Sequence, residues 1–215
     1  MCEIIEQYFK SPSSLLSEGE VNKIDDLSFL NESAFFLDAI KELKEKATIF
    51  SIKSSERSYL FFYFSSTDRA FLTTKDFIDK NQKLHKIHKS FVLSLGEIID
   101  IRNQSLKQMQ PLLNVFPSGE DIFGLGALEE DYTHKCKVSG IKERQELKAL
   151  TTIAFEANGN LIQYSEDGTI YLYLNDHSPD RRDIQKLSDT PEDTFYSGGF
   201  DDVLGWSNAF IRSFM

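Results

Sequence analysis

Cysteine is scarce: Cys2 and Cys136 are the only two in 215 residues. A small secreted domain stapled by disulfides carries a denser, even set, so that scaffold is excluded and a reducing compartment is expected. Long apolar runs are missing as well. The longest, Tyr59 to Phe64, has strand length and falls far short of the ~20 residues a membrane helix needs. Met1 to Lys10 contains no apolar stretch of the signal-peptide kind. The expected location is cytoplasmic, with no membrane partner. Positive charge is also under-represented, with 24 Lys and Arg against 34 Asp and Glu, a net charge of −10. Such a surface repels polyanions on average, so nucleic acid is not the expected partner.

What is present is aromatic. Eighteen Phe and eight Tyr, within an apolar content of 40%, offset the ordering entropy that keeps polar chains disordered. A chain of this length buries roughly 70% of its unfolded surface without staples. The charge is polarised along the chain. From Lys75 to Lys107 there are seven basic residues (Lys75, Lys80, Lys83, Lys86, Lys89, Arg102, Lys107) and four acidic ones (Asp76, Asp79, Glu97, Asp100). From Glu156 to Asp202 eleven acids face only Arg181, Arg182 and Lys186.

Periodicity sets out the elements. Ile4, Ile5, Tyr8 and Phe9 fit one side of a short helix, followed by a Ser-rich loop from Ser11 to Ser17. Asn31-Glu32-Ser33 can cap a helix to about Lys46, with Phe36, Ala39, Ile40 and Leu43 on its buried face. Thr48–Lys53 and Tyr59–Ser65 read as a hairpin across residues 54–57, the second strand central because it is apolar on both faces. Thr73 or Thr74 can cap a helix over about 75–95, stopped by Gly96. A short strand over Glu97–Ile101, a helix over Ser105–Leu113 and another near Lys142–Lys148 are expected. The strongest pattern is Thr151–Glu156, Asn160–Ser165 and Thr169–Asn175, separated by Asn158-Gly159 and Asp167-Gly168. Asn-Gly and Asp-Gly supply the positive φ of tight hairpin turns, which predicts a three-stranded antiparallel meander. Ile170, Leu172 and Leu174 should then face one side, and Tyr171 and Tyr173 the other. Asp176 to Gly199 reads as a long polar surface loop, and Ser207–Phe214 as a short helix capped by Ser207. The expected class is α+β, a curved antiparallel-rich sheet with the meander, flanked by helices.

Chemistry-bearing clusters are thin. His134 and Cys136 stand two apart, His85 and His88 three apart, and His177 beside Asp176. A structural zinc site wants four closely held ligands, and the lysines around His85 and His88 oppose a cation. Cys136 lies between Lys135 and Lys137, which favour a thiolate, but no base or oxyanion loop accompanies it. Gly124-Leu125-Gly126 and Gly198-Gly199 are followed by acids and lack the lysine of a phosphate-binding loop, so both read as turns. The ladder Lys80, Lys83, Lys86 and Lys89 lacks interleaved aromatics and reads as a solvated helix face. No metal, nucleotide or organic cofactor is expected.

One order of short motifs stands out. Phe123-Gly124-Leu125 precedes Asn158-Gly159-Asn160-Leu161, then Asp167-Gly168-Thr169-Ile170-Tyr171, then Ser207-Asn208-Ala209-Phe210-Ile211. Over roughly 75–215 this resembles the SUKH superfamily, which includes fungal cell-wall-synthesis regulators and bacterial immunity proteins that neutralise co-encoded toxins. The family's Leu-Pro-x-x-Tyr signature is absent near 84–93, and 1–70 has no counterpart in its pattern. Residues 1–70 are therefore expected to be an added lobe and 71–215 the SUKH-like domain, the alternative being one continuous domain over 1–215. The resemblance implies a non-catalytic fold whose variable surface docks on another protein, a basic toxin domain in the most concrete case. The acidic stretch Asp176, Asp180, Asp183, Asp189, Glu192 and Asp193 is the expected partner-binding rim, because complementary charge speeds encounter and sets specificity. Two other readings compete with it. One is a regulatory or scaffold protein of cell-envelope or signalling pathways. The other is an enzyme whose site is assembled from Asp176, His177, His134 and Cys136.

Overall fold

Alternation along each strand organises the molecule. The computed structural model describes residues 20–28, 37–53, 58–74, 83–101, 113–117, 122–156, 159–175, 184–192, 194–200 and 202–215. Among them, ten strands form one open, curved antiparallel sheet whose spatial order is the chain order. They are β1 (Glu20–Ile24), β2 (Thr48–Lys53), β3 (Ser58–Phe64), β4 (Arg69–Thr74), β5 (Glu97–Ile101), β6 (Leu113–Val115), β7 (Thr151–Glu156), β8 (Leu161–Tyr164), β9 (Ile170–Tyr173) and β10 (Phe195–Ser197). Four α-helices accompany them: α1 (Leu37–Lys46), α2 (Lys86–Leu95), α3 (Glu129–Ser139) and α4 (Val203–Arg212). The class is α+β, as expected from the sequence. The sheet passes through position 70 without a break, since β4 pairs with both β3 and β5.

One face of the sheet is continuous. Ile49, Phe62, Phe64, Phe71, Ile98, Val115, Ile153, Tyr164 and Ile170 point to it, and α1, α2 and α4 cover it. The helices fit because their apolar residues recur at three and four: Ala39, Ile40 and Leu43 on α1, and Ile87, Phe91 and Leu95 on α2. Phe71 stacks on Phe62 at 4.7 Å and meets the edge of Phe214 at 4.9 Å, joining α4 to the centre of the sheet. Each such fully buried Phe contributes about 2–3 kcal/mol of transfer free energy. The opposite face is divided. Phe50, Ile52, Tyr59, Phe61, Ala70 and Leu72 form one cluster over β2–β4. Tyr173 and Phe195 form another with Leu125, Leu147 and Leu150 and with Tyr132 and Cys136 of α3.

The meander is antiparallel, and both turn glycines have positive φ, Gly159 at 89° and Gly168 at 92°. Ile170 enters the helix-covered core, Leu172 pairs with Ile162 on that face, and Tyr171 and Tyr173 join the cluster on the other side, so the alternation holds along β9, which ends before Leu174. The β2–β3 hairpin, the central place of β3, β5 and the Gly96 stop are also as expected.

Other expectations need correction. Thr73 and Thr74 belong to a strand, and residues 75–82 of the helix expected after them lie outside the described residues. Both threonines are buried at the end of β4, where β-branched side chains fit the pleat. Residues 83–85 are not helical, and α2 starts at Lys86 with His85 as N-cap. The helix near Lys142–Lys148 is absent. In its place α3 occupies Glu129–Ser139 and stops at Gly140, whose φ of 67° is left-handed, and only one 3-10 turn follows at Leu147–Ala149. The stretch 176–199 is not all loop, because Phe195–Ser197 is a strand paired to β9. The last helix begins earlier than expected. Asp202 is its cap, accepting from the Gly205 amide at 2.7 Å, whereas Ser207 is buried and donates to the Val203 carbonyl at 2.6 Å. Leu113 opens β6, and residues 105–112 of the expected helix lie outside the described residues, as do residues 1–19 and 29–36.

Candidate functional site

The acidic rim residues that the structure describes, Asp189 and Glu192, sit on a small hairpin at the end of the sheet. Leu187 N–H donates to Phe195 O at 3.0 Å and Ser197 N–H to Gln185 O at 2.8 Å, so residues 185–187 run antiparallel along the outer edge of β10. This covers an edge that would otherwise offer unpaired backbone groups. Between the two arms, the buried hydroxyls of Thr190 and Thr194 donate to Leu187 O at 2.8 Å and Pro191 O at 2.7 Å. Asp189 has φ of 54°, a conformation that a short polar side chain tolerates better than most. Leu187 and Phe195 pack into the cluster around Tyr132 and Tyr173, and the Arg144 guanidinium donates to Ser188 O at 3.2 Å.

Both carboxylates are exposed on this anchored tip. Lys186 Nζ lies 3.7 Å from Glu192 Oε1, but the Glu192 side chain is 90% exposed, so the pair contributes at most about 1 kcal/mol and leaves the charge facing solvent. Asp176, Asp180, Asp183 and Asp193 lie outside the described residues. The structure therefore brings Asp189 and Glu192 together on one turn and says nothing of the other four.

The base of this hairpin rests on a polar network around α3. The Tyr173 hydroxyl donates to Asp131 Oδ2 at 2.9 Å, and Lys135 Nζ reaches Asp131 at 2.8 Å and Asn175 O at 3.1 Å. Burial alone would raise the Asp131 carboxyl, but the bonds from Lys135 and Tyr173 outweigh it and hold the pKa below the ordinary value. Tyr173 is pushed up by burial and then by the Asp131 charge. Tyr132 accepts from the Arg144 amide at 3.3 Å and is pushed up to about 12, mainly by burial. Lys148 bridges Glu129 at 2.7 Å and Glu143 at 3.0 Å.

The candidate chemistry residues do not assemble. Cys136 is buried in the α3 cluster, and burial pushes its thiol up, away from a reactive thiolate. Lys135, its neighbour in sequence, is committed to Asp131. His134 is exposed on the same helix while Cys136 faces inward, and His177 lies outside the described residues. Among the described residues no three His, Cys, Asp or Glu side chains converge as a metal would require. The glycine segments are close-packed turns. Gly124 N–H is bonded to Leu150 O at 2.7 Å, and a Cβ there would lie 2.8 Å from Lys148 O. Gly198 N–H is bonded to Ile170 O at 3.0 Å. These amides are not available to a phosphate. The lysine ladder does not share one helix, since Lys83 precedes α2 and Lys80 lies outside the described residues.

Sequence reasoning missed one polar site. His88 is fully buried on α2, its ring bonded to the Tyr164 hydroxyl and to Pro117 O, both at 3.0 Å. The signal was available: His88 falls in phase with Leu84, Phe91 and Leu95, the stripe that faces the core. Among the described residues no helix is long and apolar enough to cross a membrane. Compared with protein-family models, with curated proteins and with solved structures, the chain has no match.

Proposed function

We propose that this chain is a non-catalytic protein-binding module, most concretely an immunity protein that occludes the active face of a basic cognate toxin. The observation that carries the reading is the anchored acidic tip. Asp189 and Glu192 are exposed on a turn whose backbone is fixed by hydrogen bonds to β10 and by buried threonines. A charge held in place on a rigid support loses little entropy on binding, so it is suited to steering and orienting a partner of opposite charge. A toxin that acts on nucleic acid must present a basic cleft, and a negative rim complements it. The SUKH resemblance of the motif order supports the same reading, as does the inert setting of Cys136.

Co-expression with the product of the adjacent reading frame tests this. A stoichiometric complex, with relief of growth arrest caused by that product, is the expected result. A neighbour that is toxic yet neither bound nor neutralised by this chain would overturn the toxin reading. A complex with a non-toxic envelope or signalling protein would move the assignment to a regulatory scaffold.

A further inference from the structure

His88 sits where three elements meet. Its helix α2 packs on the continuous face of the sheet, Tyr164 reaches it from β8, and Pro117 lies two residues past the end of β6. A carbonyl only accepts, so Nε2 must carry the hydrogen that bonds Pro117 O. Nδ1 is then unprotonated in the neutral ring and accepts from the Tyr164 hydroxyl. Tyr164 in turn accepts from the His85 amide at 3.3 Å. The neutral Nε2–H tautomer thus closes a directed chain from the α2 N-terminus through β8 and α2 to the exit of β6.

That exit is held under strain. Phe116 has φ of 56°, left-handed for a bulky residue, and its ring is stacked on Phe91 at 3.6 Å and edge-on to His88 at 5.5 Å. The three-residue β6 leads straight into it, and the Phe116 amide is tied to β7 by its bond to Ile153 O at 2.7 Å.

We propose that His88 is an acid-sensitive latch: neutral, it links Tyr164 of β8 to Pro117, and protonation keeps the Pro117 bond but breaks the one from Tyr164, so that the charged ring and the Phe116–Pro117 turn part from β8 while the rest of the sheet stays folded. Protonation converts Nδ1 from acceptor to donor. The Tyr164 hydroxyl must then turn its own proton elsewhere, Thr151 being its other side-chain partner. It also places a charge in an enclosure of Phe116 and Tyr164 rings. Among the described residues no opposite charge acts on it. On α2, His85 acts on His88 with like charge, and Lys86 and Lys89 are basic; β8 presents Tyr164 and β7 presents Thr151. From α4 come Trp206 and the capping Asp202, whose charge acts on His85. Burial accordingly depresses His88 to about 4, with the carbonyls of Pro117 and Phe116 opposing only in part.

Trp206, the sole tryptophan, lies 5.9 Å from Phe116 and reports on this packing. The test is a pH titration of the full chain, following the His88 ring by NMR, Trp206 emission, and far-UV circular dichroism. The expected result is a His88 midpoint near pH 4, a Trp206 shift with the same midpoint, and a strand signal that persists below it. His88→Gln, which keeps one donor and one acceptor but cannot titrate, should abolish the Trp206 step, and His85→Gln should retain it. A His88 midpoint near its ordinary 6.5 would overturn the latch. So would a Trp206 step unchanged in His88→Gln, or one that coincides with loss of the strand signal. If His88→Gln does not fold, amide exchange at Phe116 in the unaltered chain decides, faster exchange across the His88 midpoint supporting the latch and unchanged exchange refuting it.

Discussion

The two halves of the divided sheet face are built differently. Over β2–β4 the buried side chains are nearly all hydrocarbon: Phe50, Ile52, Phe61, Ala70 and Leu72, with Tyr59. Over β8–β10 the equivalent layer is threaded with polar bonds: Tyr173 to Asp131, Tyr132 to the Arg144 amide, and the buried Gln163 amide to Gly124 O at 2.7 Å. Apolar contacts are non-directional and tolerate repacking, whereas a hydrogen bond fixes where a group sits. The polar half is the one from which the acidic hairpin rises. A surface that must present charge in one geometry is thus supported by the half of the sheet whose layer is oriented by bonds.

Substitutions can break or sharpen this contrast. The largest effect should come from the face that both halves share. Phe62→Ala removes a fully buried ring stacked on Phe71 and should cost about 3–5 kcal/mol in denaturant unfolding. Next is pH. The His88 pKa is depressed to about 4 in the folded chain from an ordinary 6.5, so between those values the unfolded chain binds a proton that the folded chain does not. Stability should therefore fall as pH drops through that window, by about 3 kcal/mol in all. His88→Gln should flatten this part of the stability-against-pH curve.

Gly198→Ala comes third. Its Cβ would overlap Ile170 Cγ2 and sit 2.8 Å from Ile170 Cβ at the β9–β10 junction, and overpacking of this kind costs about 1–3 kcal/mol. Tyr173→Phe should cost about 1 kcal/mol, since it removes the hydroxyl bond to a carboxylate that keeps its Lys135 partner. If Tyr173→Phe left both stability and the hairpin's amide exchange unchanged, the polar half would not be holding the hairpin. The smallest effect on stability, within about 0.5 kcal/mol, is expected for Asp189→Asn with Glu192→Gln, because both side chains are exposed.

Much of the fold could be read locally. The meander is written in Asn158-Gly159 and Asp167-Gly168, each needing positive φ where the chain reverses, and the β2–β3 hairpin in two aromatic and β-branched runs. The failures share a cause, in that tertiary contacts outweigh weak local signals. In α3 only Tyr132 and Cys136 are buried, so the helix carries no apolar stripe to find. The strand β10 is three residues long inside an acidic, Pro-containing stretch, and it exists because β9 and residues 185–187 pair on either side of it. Thr73 and Thr74 fit a cap pattern and a strand equally well until β5 is seen pairing with them. Of the site, the acidic composition was legible, but the hairpin that displays Asp189 and Glu192 was not, since the backbone bonds that close it join residues eight and twelve apart.

The most direct measurement is the association rate of this chain with the product of the adjacent reading frame, taken across ionic strength for the unaltered chain and for Asp189→Asn with Glu192→Gln. Exposed charges act over ~8 Å at physiological salt, so the double variant should associate about two- to fivefold more slowly at low salt, with a flatter salt dependence and unchanged thermal stability. A complex whose rate and salt dependence are the same for both proteins would contradict the acidic hairpin as the partner-facing surface.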